Sequence, residues 1–313
     1  MGLNRQKLEA ALHAGRKFPY LPFSLHLFET VSSTNQTLWD LLNSGSEQGC
    51  VVIAEQQTSG RGQWGRQWIS PEGGLYLSVA ITPKVEATNS YQLTLATAWG
   101  IARQLRNSGI PVGIKWPNDL VIFSIPKRDA CIENTVISTI PHSVTHDVLN
   151  SNQNSHNYKK LGGILTETKV SKGQITQAVI GVGINWANPV PETGINLETW
   201  QANHHPKTIS NLEMLTLTVL LGIESGILCL FQEGVDILLS RYLELLTNIG
   251  EQVCVNNLTG TVIGVSHTGE LRVRMETSEQ KAVITPEINL QPGTISLGYR
   301  NRSQNTGVRS QNS

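Results

Sequence analysis

The chain has 313 residues, with 24 Lys+Arg against 24 Asp+Glu. That length accommodates one large domain and a smaller one, and the even charge balance gives no broad basic face, which excludes general nucleic-acid binding. Apolar runs such as "LTVLLGI" at 217–223 fall short of the roughly 20 residues a membrane span needs, and the N-terminal "MGLNRQKLEAALHAGRKF" lacks the apolar centre of a signal peptide.

The four cysteines, Cys50, Cys131, Cys229 and Cys254, are scattered without a C-x-x-C pair. That pattern fits reduced thiols and a cytoplasmic protein better than a metal or redox centre. His204 and His205 are adjacent, so they cannot share one helix face as metal ligands, and neither H-E-x-x-H nor G-x-S-x-G occurs.

In chain order, "SSTN" at 32–35 supplies a helix N-cap before "QTLWDLL". "CVVIAE" at 50–55 reads as a buried strand. "LYLSVAI" at 75–81 alternates, with Leu75, Leu77, Val79 and Ile81 on one face. Thr88, Asn89 and Ser90 offer a cap for a helix over 91–107. "GIKWPND" is a strand ending in a turn at Pro117. "GGILTETKV" and "QAVIGVGIN" form a hairpin around "SKGQ", and helices follow over 211–233 and 235–248. After Gly250 the runs "EQVCV", "GTVIGVS", "ELRVRM" and "KAVITPEINL" suggest a small barrel-like β module. Residues 124–158, rich in Asn, Ser, Thr and His, read as a disordered insertion, and the polar residues 300–313 as a disordered tail.

Between the first two strands, "SGRGQWGRQW" at 59–68 places Gly60, Gly62 and Gly65 in the G-x-G-x-x-G spacing. A dinucleotide turn should open a helix and be followed by an acid about 20 residues on. Here Pro71, Gly73, Gly74 and then a strand follow, which argues against that use. Glycines still let a backbone approach a ligand closely. Arg61 and Arg66 carry planar donors suited to phosphate or carboxylate, and Trp64 and Trp68 can cover a flat group. Spacing alone leaves open a plain surface turn.

The other polar stretches carry the same ambiguity. Lys115, Asn118 and Asp119 in "KWPND" suit phosphate and Mg2+, or a simple turn. Lys160 precedes "LGGILTE" as a phosphate ligand or a solvated strand leader. Gly181, Gly183 and Asn185 end a strand in "GVGIN" as a ligand-facing edge or a glycine bulge.

Taken together, "SSTN", "AEQQTSGRGQWGRQW", "GGLYLSV", "KWPNDL", "KLGGIL" and "GVGIN" span 32–185, and in that order they resemble the biotin–protein ligases. The resemblance implies a mixed α/β sheet domain like that of class II aminoacyl-tRNA synthetases over 1–249. An SH3-like barrel over 250–292 would follow it. It implies an ATP-dependent ligase that forms biotinyl-5′-AMP and passes biotin to a lysine of the biotin carboxyl carrier protein of acetyl-CoA carboxylase. Mg2+ would accompany the substrates ATP and biotin. Carried over by position, Lys160, Arg61 and Lys115 are the catalytic cations. Ser33, Thr34, Asn35, Gln57, Arg61, Gly62, Gln63 and Lys160 contact biotin. Gly60, Arg66, Trp68, Lys115, Asn118, Gly181, Gly183 and Asn185 line the adenylate site, and Asp119 holds the metal.

About 30 residues precede "SSTN", too few for a helix-turn-helix domain. The expectation is therefore a monofunctional enzyme that binds neither DNA nor membrane and is compatible with a homodimer. Two features depart from the family pattern. Gln63 stands where the loop usually carries a second arginine, and 124–158 separates "KWPND" from "KLGGIL". A lipoate- or octanoyl-transferring relative, a degenerate binding module and a pyridine-nucleotide enzyme are the competing possibilities.

Overall fold

The computed structural model describes residues 3–15, 20–123, 158–204, 206–276, 286–295 and 297–298. The insertion expected at 124–158, apart from Tyr158, and the tail expected at 300–313 lie outside the described residues.

The chain runs α1 (Arg5–Gly15), β1 (Ser24–Val31), α2 (Thr34–Asn43), β2 (Cys50–Gln57), β3 (Leu75–Ile81), β4 (Val85–Glu86), α3 (Tyr91–Asn107), β5 (Val112–Lys115), β6 (Asp119–Phe123), β7 (Tyr158–Ser171), β8 (Gln174–Ile184), α4 (Leu197–Ala202), α5 (Leu212–Leu228), α6 (Val235–Leu243), then β9 (Gln252–Val255), β10 (Leu258–Val265), β11 (Leu271–Met275) and β12 (Glu287–Leu290). The large sheet has the order β1-β2-β3-β8-β7-β6-β5, with β4 on the flank of β8. Among these described strands β1 and β2 pair in parallel and the other neighbours are antiparallel. The mixed α/β class and the β7–β8 hairpin agree with the sequence.

All seven residues of β3 are buried, so the expected alternation holds for only half of it. The strand lies between β2 and β8 with both faces covered. Leu75, Leu77, Val79 and Ile81 join the main core with α3 and α5, while Ala80 packs with Leu38 and Leu42 of α2. A central strand covered on both faces reads as a continuous apolar run. α3 and α5 approach backbone to backbone, because a Cβ on Gly100 or Gly226 would collide with the opposing main chain. Leu212–Glu233 is a helical stretch long and apolar enough to span a bilayer by composition, but most of it is buried against the protein's own core.

Four helix ends differ from the sequence expectation. Ser33 and Ser90 occupy N-cap positions, yet neither side chain makes a cap hydrogen bond. α5 passes into a π-turn over Cys229–Glu233 instead of running straight to 233. α6 stops at Leu243 rather than 248, because the chain then pairs with β5: Ile114 N donates to Leu245 O at 2.7 Å and Thr247 N to Ile114 O at 2.8 Å. Tertiary pairing outcompetes local helix propensity there.

β9–β12 form the four-stranded antiparallel sheet of the small module. Val262, Val265, Leu271, Val273 and Met275 from it join the same apolar cluster as the large sheet. The Trp116 indole donates to Gly269 O at 2.9 Å and Gln92 to His267 O at 2.8 Å, which pins this sheet beside the "KWPND" turn.

Candidate active site

A pocket opens on the α2 face of the large sheet, next to the N-terminus of that helix. It collects Ser33, Thr34, Asn35, Gln57, Arg61, Gly62, Gln63, Arg66, Trp68, Lys115, Asn118, Asp119, Lys160, Gly181 and Gly183. They are drawn from both ends of the 32–185 stretch and account for all but two of the sequence candidates.

The glycine loop is a hairpin lobe, not a strand–turn–helix. Gln57 N donates to Ser70 O at 3.0 Å, Trp68 N to Gly60 O at 2.9 Å and Gly62 N to Arg66 O at 2.7 Å. Trp64 sits at its tip with φ 54°, and Arg66 stacks 5.8 Å from the Trp64 ring centre. Gly60 is one of the two candidates that do not line the pocket. A Cβ there would meet Trp68 O and Ser70 Oγ, so the glycine serves to close the hairpin.

At one end of the pocket, Lys160 Nζ lies 2.6 Å from Asp119 Oδ1 and 5.1 Å from the centre of the Trp68 ring. β6 and β7 converge as needed, with Asp119 opposite Gly163, and a bulge between Leu120 and Val121 shifts the register beside Lys160. A bulge re-aims a side chain. The Lys160 main chain instead pairs with the 193–195 segment, donating to Thr193 O at 2.8 Å and accepting from Ile195 N at 2.9 Å. Asn185 braces this point from behind: its N donates to Leu161 O at 2.8 Å and its Nδ2 to Lys160 O at 3.4 Å. Asn185 is the second candidate outside the pocket, buried and bonded to Asn188.

Lys115 ends β5 and is buried, at 6% exposure. Its ammonium is pushed down to about 8, first by desolvation, with Asp119 and Glu251 opposing and Lys160 and Arg66 reinforcing the shift. The turn after it is held from three sides. Asn248 Oδ1 accepts from Trp116 N at 2.8 Å, the Tyr242 hydroxyl donates to Pro117 O at 3.1 Å, and Asn118 Nδ2 donates to Ile164 O at 2.9 Å. The Asn118 amide nitrogen is therefore committed to β7 rather than to the cavity.

At the other end, Thr34 N donates to Gln57 Oε1 at 2.8 Å, Ser78 Oγ lies 2.6 Å from Asn35 Oδ1, and Asn35 Nδ2 donates to Glu167 Oε2 at 3.0 Å. Arg61 Nη2 is 3.2 Å from the same Glu167 oxygen. Gly181, expected at the adenylate site, instead stands at this end and leaves room for the Asn35 amide, while Gly183 leaves room for the Trp68 indole; a Cβ at either position would collide with its neighbour. Gln63 Oε1 and Trp68 Nε1 are buried and have no hydrogen-bond partner among the described residues.

Several lining residues carried no sequence signal. Gly163, Ile164, Leu165 and Val182 belong to the strands already chosen, and strand alternation could have found them. Gly293, Ile295 and Leu297 reach the pocket from the chain beyond β12, with Gly293 against the Trp64 indole. Glu167 is likewise legible only in three dimensions. Among the described residues no cluster of three or more His, Cys, Asp or Glu side chains could hold a resident metal.

Residues 27–185 match the family described as the biotin/lipoate A/B protein ligase family. The chain is 30% identical over 179 residues to a bifunctional ligase/repressor BirA of Bacillus subtilis, covering 56% of this chain and 45% of that protein. It is 29% identical over 282 residues to a bifunctional ligase/repressor BirA of Escherichia coli, covering 88% of this chain and 74% of that one. The match thus spans under half the length of the Bacillus relative. In three dimensions the fold is similar to a biotin protein ligase from Aquifex aeolicus in complex with biotin and ATP. The TM-score is 0.58 at 24% identity, covering 81% of this chain and 92% of that one. A point mutant of that Aquifex protein, in complex with biotin, gives a TM-score of 0.60 at 24% identity, covering 86% and 96%. The chain belongs to the biotin/lipoate A/B protein ligase family.

Proposed function

We propose that the protein is an ATP-dependent biotin ligase acting on the biotin carboxyl carrier protein of acetyl-CoA carboxylase. In the first step the biotin carboxylate attacks the α-phosphate of ATP, forming biotinyl-5′-AMP and releasing pyrophosphate. In the second, the amine of a carrier lysine attacks the mixed anhydride and AMP leaves. The observation that carries this reading is the joining, in one pocket, of the Lys115–Asp119–Lys160 charge cluster to the neutral polar wall of Thr34, Asn35 and Gln57. One end suits a carboxylate meeting a phosphate; the other suits a small polar ring.

In this reading Ser33, Thr34, Asn35 and Gln57 bind the ring. Lys160, Arg61 and the Gly62–Gln63 backbone meet the carboxylate and the charge that builds on the reacting phosphate, where preorganised cations contribute most to catalysis. Lys115, Arg66, Trp68 and Gly183 face the nucleotide, and Asn118 holds the turn beside it through its bond to Ile164 O. Asp119 is the lining carboxylate suited to magnesium, and Mg2+ typically binds through one or two carboxylates plus substrate phosphates. Asp119, paired with Lys160 at 2.6 Å, would hold a metal that comes as Mg·ATP, and Lys160 would be placed to meet the phosphates. Buried free thiols at Cys50 and Cys229 are in keeping with a cytoplasmic location.

Purified protein, biotin and Mg·ATP are mixed with a biotin carrier domain, and the carrier is weighed by mass spectrometry. The expected result is the mass of one biotin gained only when ATP is present. A carrier that stays unmodified while a lipoyl domain supplied with lipoate gains mass would instead assign the lipoate branch of the family.

A further inference from the structure

Glu167 lies on β7 and collects three donors at one oxygen: Asn35 Nδ2 at 3.0 Å, Trp39 Nε1 at 3.2 Å and Arg61 Nη2 at 3.2 Å. Asn35 Nδ2 also faces Leu165 O at 3.4 Å. Both neighbours are pure acceptors, so the Asn35 amide can stand only one way round, with its oxygen toward Ser78 Oγ at 2.6 Å. Ser78 has one proton and an amide oxygen has none, so Ser78 donates to Asn35. Thr34 Oγ1 is 2.8 Å from Ser78 Oγ and 3.2 Å from Gln57 Oε1. With the Ser78 proton already used, the 2.8 Å contact between the two hydroxyl oxygens needs the Thr34 proton, so Thr34 donates into the wall, to Ser78 Oγ. Thr34 then shows the cavity a lone pair.

We propose that Glu167 is a positioning residue that fixes the hydrogen-bond polarity of this wall, so that Thr34 offers an acceptor to the N–H groups of a bound ureido ring. The inference rests on the biotin reading of the pocket. A neutral glutamine at 167 can present its own amide nitrogen to Asn35. The Asn35 amide can then turn over, Ser78 becomes the acceptor, and the polarity of Thr34 is no longer imposed.

Calorimetric titration of biotin alone into the full-length protein, into E167Q, into S78A and into the double variant tests this. We expect the wild type to bind, and E167Q and S78A each to weaken biotin roughly tenfold, the scale of one misdirected buried hydrogen bond. The double variant should lose little more than either single one, because both act through Asn35. In turnover assays of S78A, which leaves the Arg61–Glu167 pair intact, KM for biotin should rise while kcat at saturating biotin changes far less, the pattern of lost ground-state binding rather than of general damage. E167Q binding biotin as the wild type does, or losses that multiply to about a hundredfold in the double variant, would overturn the proposal. If E167Q does not fold, S78A decides: unchanged biotin affinity there would overturn it equally. A wild type that takes up no biotin removes the functional reading, and this inference with it.

Discussion

The two ends of the pocket are built on opposite plans. At the Thr34–Asn35 end the polar groups are bonded to one another, with Gln57 bridging to Ser70 at 2.8 Å and Glu167 anchoring Asn35. At the Lys115–Lys160 end, cationic ammonium groups crowd one carboxylate and one of them is desolvated enough to weaken its hold on a proton. Satisfied networks hold shape and discriminate. Crowded charges are poised for a ligand that brings the missing negative charge. In the proposed function that difference gives recognition to one end and chemistry to the other.

The largest effect should come from removing the chemical end. Lys160→Ala is expected to lower turnover on the order of 100-fold or more, the usual loss for one positioned charge stabiliser, while biotin binding measured without ATP falls much less. Equal losses in both would erase the division between the ends.

Lys115 sharpens the same contrast through pH. Its folded value of about 8 lies below the ordinary lysine value of 10.5. The buried charge therefore destabilises the fold below about pH 8, and that cost fades as pH rises toward 10.5. Lys115→Met should consequently gain stability over the wild type at pH 7, by at most roughly 3 kcal/mol, and the gain should shrink between pH 8 and 10.5 in chemical denaturation. Because free-enzyme groups govern kcat/KM, that parameter should decline above about pH 8 as Lys115 loses its proton.

Disturbing the recognition end is expected to do less. Gly181→Ala puts a methyl against the Asn35 amide and should weaken biotin roughly tenfold, the scale of modest overpacking, with kcat nearly unchanged. The smallest effect belongs to Gln63. Gln63→Arg adds a charge at a buried oxygen without a described partner and should slow biotinyl-AMP escape roughly threefold, as a partly screened ion pair does. An unchanged off-rate would remove Gln63 from adenylate retention.

Much of this division was legible in the sequence, for identifiable reasons. β7 and β8 announce themselves by a β run on each side of a glycine turn, and α3 by a run that starts at Tyr91 and ends at Asn107. The polar candidates fell on strand ends and loops, where side chains can converge. What failed depended on partners distant in sequence. Nothing near residue 243 says that 245–247 will pair with β5. Gly60 and Asn185 carry ligand-like spacing, yet one closes a hairpin and the other braces the Lys160 backbone. Glu167 looks like an ordinary polar position on a hairpin strand, and its role appears only when α2 brings Asn35 and Trp39 across more than 120 residues. The expected Mg2+ ligand Asp119 is held by Lys160, a pairing that "KWPND" alone does not suggest.

The most direct test omits the carrier. The protein is incubated with Mg·ATP and either biotin or lipoate, and the nucleotide products are identified by mass spectrometry. Biotinyl-5′-AMP with biotin, nothing comparable with lipoate, and loss of that product in Lys160→Ala is the predicted result. No adenylate with biotin, or lipoyl-AMP in its place, would contradict the assignment of the pocket.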